Sequence, residues 1–179
     1  MRNMLDNLRA RREDERGFTL IELMVVVLII AILIAIAIPT FLGAKTRAQD
    51  KAAQSSLRNG LTNAKGIYTD TDSYLTATAA ALLVAEPSLQ FVDGTTVSTG
   101  AKMVSVDPDA INTLYLVAMS SSGVCWVIGD AANGPGTVFA KTNAACNADA
   151  VDAALPAIAA PAAGSTTTSV GNNLWAAAF

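Results

Sequence analysis

Between Phe18 and Leu42 the only ionisable side chain is Glu22, set in a run of Leu, Ile, Val and Ala. In hydrocarbon a charged residue at the centre of a spanning helix costs about 2.5–3.5 kcal/mol, so intramembrane acids generally face a partner. No Lys or Arg lies in the run itself. A cation would arise if the chain were cut between Gly17 and Phe18, because an α-amino group has a reference pKa of about 7.7–8.0 and is largely protonated near neutrality. That ammonium, on Phe18, would sit one helical turn from Glu22. In a packed array of such helices the carboxylate of one chain could meet the ammonium of its own or of a neighbouring chain. Removing one member of a buried pair typically costs about 3–5 kcal/mol. The pair is therefore expected to act as a register device, fixing how far one apolar helix slides past the next.

The other reactive residue types point away from catalysis. There is no His, which removes the commonest general base and metal ligand. Asp70-x-Asp72 and Asp107-x-Asp109 have the acid spacing of calcium loops, but neither has the Gly and distant Glu of an EF-hand, and both read as turns. No glycine motif could cradle a phosphate, and no nucleophile, base and orienting group assemble. Neither a catalytic residue, a metal site nor a cofactor is expected, and the chain is not expected to be an enzyme. Cys125 and Cys146 are the only cysteines. In an exported domain they read as a disulfide rather than a metal pair. Closing a loop of about 20 residues would contribute about 3 kcal/mol on the chain-entropy model.

Glu22 must be positioned by the segment that holds it. Phe18 to Phe41 would form about 36 Å of α-helix, enough to cross a hydrocarbon core of about 30 Å with some tilt. Ahead of it, Arg2, Arg9, Arg11, Arg12 and Arg16 are set against Asp6, Glu13, Asp14 and Glu15. Orientation follows the Lys/Arg count, so this end is expected to stay cytoplasmic and the rest to be exported. Three readings of the segment are open. It could be a signal anchor that tolerates one acid near its cytoplasmic end. It could be a removable secretory signal, with Ala35-Ile36-Ala37 as the small-x-small cleavage site and Ile38 as the new start. It could instead be cut between Gly17 and Phe18. A secretory signal requires neither Glu22 nor a charge-rich leader ending in Gly, and only the third reading gives Glu22 a partner.

Gly17-Phe18-Thr19-Leu20-Ile21-Glu22-Leu23-Met24-Val25-Val26, followed by an apolar run to Pro39, resembles the class III signal of type IV pilins and the related pseudopilins. The resemblance is specific over about 30 residues and architectural beyond them. It implies that Gly17 is recognised by a prepilin peptidase, that Phe18 becomes the N-methylated first residue, and that Glu22, with Phe18, serves subunit docking. Pro39 matches the family's helix-kinking proline. The implied partners are further copies of the chain in a helical filament, the prepilin peptidase, the pilus assembly machinery and the membrane.

Chain length suggests one folded domain besides the apolar segment. The net charge of −3 argues against nucleic acid as the main partner. Beyond Pro39, apolar residues recur at mostly three- and four-residue steps through Phe41, Ala44, Ala48, Ala52, Leu57, Leu61, Ala64 and Tyr68, so one helix is expected from Phe18 to about Thr69. Pro39 removes a donor and crowds the Ala35 carbonyl, which places a bend or local opening there. Gly43, Gly60 and Gly66 weaken the helix further. Lys45, Arg47, Lys51, Arg58 and Lys65 form a basic stripe on it, with Asp50 as the one acid among them. That stripe reads either as a solvated face or as a surface that meets the acidic heads of neighbouring copies.

Asp70 to Tyr74 reads as a polar loop and Thr78 to Glu86 as a short helix stopped by Pro87. Strands are expected at Leu89–Val92, Lys102–Val106, Ile111–Met119, Val124–Ile128 and Val138–Lys141. Turns at Asp93-Gly94, Asp107-Pro108-Asp109, Ser120–Gly123 and Asn133–Gly136 separate them. The tail after Cys146 has the composition of a loosely packed segment and ends in Leu174-Trp175 and Phe179, rings that either anchor it or stand exposed.

The expected fold is α+β, a long N-terminal and partly transmembrane helix packed on a small antiparallel sheet. Its divisions are a leader at 1–17, an assembly half of the helix at 18–42, an exported half at 43–69, a head at 70–146 and a tail at 147–179. The expected function is that of a structural subunit, a major pilin whose surface filament serves adhesion, motility or DNA uptake. Before assembly it would sit in the bacterial cytoplasmic membrane with its N-terminus cytoplasmic, and afterwards in an extracellular filament. The alternatives are a pseudopilin of a type II secretion or competence machine and, from another class, a monomeric membrane-anchored binding domain.

Overall fold

The computed structural model describes residues 18–142, 145–154, 167–170 and 173–176. The leader, Gly17 included, and the side chains near Trp175 and Phe179 lie outside the described residues. The chain divides into two compact units between Ala44 and Lys45.

The first unit is formed by α1, which runs from Leu20 to Thr71. Val and Ile are stiff at χ1 and only moderate helix formers in water. Hydrocarbon reverses that preference, because with no water to bond them backbone groups must be satisfied within the segment. Leu20 to Leu42 leave every large apolar side chain exposed, from Val26 at 46% to Leu20 at 75%. Such a surface needs lipid or other helices around it. The helix continues through Pro39. Beside that residue, the Thr40 hydroxyl donates to the Ile36 carbonyl at 3.1 Å, a back-bond of the kind that often bends helices.

In the second unit α1 buries Ala53, Leu57, Gly60, Leu61 and Ala64. Ala52, expected on this stripe, is exposed and Ala53 takes its place. Ala53 stands four residues before Leu57 and keeps the phase set by Leu57 and Leu61, whereas Ala52 stands five before it and breaks that spacing. Gly60 also has a positive role, since a Cβ there would approach Phe91 Cε1 to 3.2 Å. The helix extends past the expected end and stops where Asp72 takes a left-handed conformation, φ 54°, which Asp tolerates better than most residues. A 3₁₀ turn follows at Tyr74–Thr76, capped by the Ser73 side chain. Next comes α2 at Ala79–Ala85, where the Thr78 hydroxyl accepts from Ala81 N.

The strands are β1 (Gln90–Asp93), β2 (Met103–Ala110), β3 (Thr113–Met119), β4 (Cys125–Ala131) and β5 (Gly136–Thr142), followed by α3 (Ala148–Ala154), β6 (Thr167–Val170) and β7 (Asn173–Ala176). They form one sheet in the order β1-β2-β3-β4-β5-β7-β6. The β1–β2 pair is parallel and the rest antiparallel. The turn at Asp93-Gly94 thus opens a longer return loop rather than a hairpin. Asp107-Pro108-Asp109 is not a turn either. It lies inside β2, where the register with β3 shifts between Asp107 and Ala110. Proline has no ladder donor and is tolerated in a strand where pairing is interrupted. Helix α3 and strands β6 and β7 occupy a stretch whose Ala-rich composition carries no strand signal.

Strand β3 is buried on both faces. Leu114, Leu116 and Ala118 join Leu57, Leu61, Tyr74, Leu82 and Phe91 against α1 and α2. Tyr115 and Val117 face the other way, with Val127, Val138, Cys125, Cys146 and α3 residues Ala148 and Val151. This period-two division is the strand geometry itself. A disulfide joins Cys125 to Cys146, with Cα atoms 5.6 Å apart.

A buried acid ties these layers together. Asp130 of β4, 2% exposed, accepts from Tyr74 Oη at 2.6 Å and Thr137 Oγ1 at 2.5 Å. Its ion-pair partner is Lys65 Nζ of α1 at 2.8 Å. Burial, reinforced by donation to Asp130, pushes the Tyr74 hydroxyl well above the usual phenol range. Replacing Asp130 by Ala strands the buried Tyr74 hydroxyl, and the expected loss is about 3 kcal/mol. Lys65→Ala leaves the buried carboxylate without its cation but still accepting from Tyr74 and Thr137, and should cost less, about 1–2 kcal/mol. Denaturant midpoints of the oxidised protein test the difference, and equal losses would contradict it.

Candidate assembly site

The start of α1 is built by four residues. Phe18 and Thr19 precede the helix and Leu20 opens it. The Thr19 carbonyl accepts from Glu22 N at 3.1 Å and Leu23 N at 3.2 Å. Its hydroxyl also accepts from Glu22 N, at 3.3 Å. Thr19 is therefore the N-cap and Glu22 the third helical residue, the spacing of a capping box. A carboxylate in the first turn also complements the positive end of the helix dipole. The signal for this was present as Thr19-Leu20-Ile21-Glu22, a T-x-x-E pattern ahead of an apolar run, yet sequence reasoning gave Thr19 no role. Phe18 is 84% exposed, one turn from Glu22 and clear of the helix. Gly17, the other side of the expected cut, lies outside the described residues.

The basic stripe is largely consumed within the head. The Arg58 guanidinium carbon lies 5.5 Å from the centroid of the Phe139 ring, and Lys65 donates to Thr137 Oγ1 at 2.8 Å besides pairing with Asp130. Lys51 donates to Gln54 at 3.0 Å. Asp50, the acid among them, accepts from Ser122 Oγ at 2.5 Å and from Trp126 Nε1 at 3.4 Å. Partial desolvation opposes its ionisation, but bonds from Ser122, Ser120 and Trp126 and the charge of Lys141 outweigh it and hold its pKa below the usual range.

Asp70 and Asp72 straddle the end of α1 and share no loop geometry of a calcium site. Asp107 and Asp109 instead lie near Asp149 and Asp152 of α3. Among the described residues no group of three or more His, Cys, Asp or Glu side chains is placed to hold a metal ion. A Cβ on Gly94 would collide with the Asp149 carboxylate, so that glycine permits the close packing of α3 on the β1–β2 loop. Burial, then repulsion from Asp149, Asp152 and Asp109, pushes the Asp107 carboxyl up to about 6.

Residues 13–38 match the model of the prokaryotic N-terminal methylation motif. This is the signal of type IV pilins, and the helix and antiparallel-rich sheet that follow it have a pilin-like α+β architecture. The motif and the apolar helix point to membrane insertion, to processing by a prepilin peptidase and to a pilin-like or pseudopilin protein. No curated protein and no solved structure matches the chain.

A raised folded-state pKa means that Asp107 contributes its full stabilisation below its ordinary value near 3.8 and loses it as the pH rises through about 6. Asp107→Asn should therefore raise the Tm more at pH 8 than at pH 4 and flatten the pH dependence between them. Thermal melts across that range read this out, and a parallel shift at every pH would count against the account.

Proposed function

We propose that the chain is a prepilin cut between Gly17 and Phe18, N-methylated on Phe18 and polymerised through α1 into a helical filament with its heads outward. The observation that carries this reading is the methylation motif at residues 13–38, which ends within an apolar helix whose large side chains are exposed. In the array the carboxylate of Glu22 meets the Phe18 ammonium of its own or a neighbouring chain. Pro39 gives α1 a point at which to bend as neighbours pack. Cleavage defines a leader at 1–17, an assembly half at 18–42 and an exported half at 43–69, with the head and tail following. The role is that of a major pilin, and a surface fibre composed mainly of this chain would separate it from a pseudopilin.

Mass spectrometry of the N-terminal peptide decides among the classes. Methylated Phe18 is expected, whereas Ile38 would indicate secretion and an intact Met1 a membrane-anchored binding domain. Glu22→Ala is expected to insert normally and to lose assembly or subunit register, by analogy with the cost of about 3–5 kcal/mol for breaking a buried pair. Normal filaments from that variant, seen by electron microscopy, would remove the docking role.

A further inference from the structure

Lys45 and Arg47 open the second unit, and both are exposed. The basic residues that follow them on α1 are engaged, Lys51 with Gln54, Arg58 with the Phe139 ring and Lys65 with Asp130, and Asp50 accepts from Ser122. Two residues along an α-helix correspond to about 200° of rotation and about 3 Å of rise. Lys45 and Arg47 thus leave α1 on nearly opposite sides at almost one height. A one-sided stripe suits a groove in another protein. Cations on both sides suit a plane that the helix passes through.

Length says which plane. From Leu20 to Lys45 is about 38 Å of helix, against about 30 Å for a hydrocarbon core and about 40–45 Å for a bilayer with its headgroups. With Leu20 at one boundary of the hydrocarbon, Lys45 reaches the phosphate layer of the opposite leaflet. Gly43 and Ala44, between the apolar run and the cations, have no bulk to hold headgroups away. We propose that Lys45 and Arg47 form a two-sided clamp on the phosphates of anionic phospholipid headgroups in the exported-side leaflet, fixing the depth of the unassembled subunit. The clamp rests on the reading of Phe18 to Leu42 as a membrane span. Polymerisation must release it, so the lipid contact sets part of the cost of leaving the membrane.

The test reconstitutes the full chain in phosphatidylcholine vesicles doped with spin-labelled phosphatidylglycerol or spin-labelled phosphatidylcholine, and takes relative association constants from the motionally restricted lipid. The wild type should prefer phosphatidylglycerol. Lys45→Gln/Arg47→Gln should lower that preference by about fivefold or more, the factor equivalent to about 1 kcal/mol for a single cation near an anionic surface. Lys102→Gln/Lys141→Gln, which removes two exposed cations elsewhere, should leave it unchanged. The leader arginines are common to all three chains and contribute equally. An unchanged preference in the Lys45/Arg47 variant overturns the proposal. So does its abolition by millimolar inorganic phosphate, which would mark a free-anion site. A third overturning result is a wild type without lipid preference whose copies cross-link through their heads only when Lys45 and Arg47 are present, which would assign the cations to a second copy. Protease protection in the same vesicles separates the two levels: an unprotected chain contradicts the span, and a protected chain without lipid preference contradicts only the clamp.

Discussion

Backbone amides in hydrocarbon have no water to bond, and this constraint governs more of the chain than its apolar half. It forces Leu20 to Leu42 into a helix although the segment is rich in Val and Ile. Once begun, that helix propagates at the low cost of one hydrogen bond per residue fixed, and α1 reaches Thr71. The sheet then has a preformed surface to fold against, with Leu57 and Leu61 as its largest buried contributions. The same constraint makes the helix start consequential, because the first turn leaves backbone donors unpaired. Thr19 satisfies one of them, and it does so beside the carboxylate proposed for docking.

Polar groups in the head are used differently at its two sheet faces. On the face against α1, Asp130 gathers Lys65, Tyr74 and Thr137, joining helix, 3₁₀ turn and two strands through one carboxylate. Toward α3, Asp107, Asp109, Asp149 and Asp152 repel one another, and burial rather than pairing governs Asp107. The head thus spends its nearby cations on its own helix. Along α1, Lys45 and Arg47 at the base of the unit stand exposed, ahead of the basic residues that the head engages.

How much of this could be read in advance depended on whether the signal was local. The apolar run and the turn chemistry of Ser120–Gly123 are properties of neighbouring residues, and the strand expected at Val124–Ile128 falls largely within β4, Cys125–Ala131. The α+β class was legible for that reason. Pro108 misled because a proline between two aspartates has the composition of a turn, whereas its missing donor fits a strand bulge equally well. The four-residue step from Leu57 favours Ala53 over Ala52, and Gly60 looked like a weakness until Phe91 was placed against it. The parallel β1–β2 pairing and the Asp130 cluster join residues far apart in sequence, and no local pattern encodes them. Within the candidate site, Glu22 announced itself by being out of place, while Thr19 was passed over because a threonine there looks ordinary.

The second core contains both sulfurs of the chain's one disulfide, along with Tyr115, Val117 and Val151. Thiols are kept reduced in the cytoplasm and oxidised outside it. If the head is exported as proposed, the α1 side of the sheet can form in either compartment, but the α3 side gains its covalent closure only outside the cytoplasm. A retained copy and an exported one then differ in how readily the last part of the chain opens. Compartment is in this way written into the covalent closure of one half of the head.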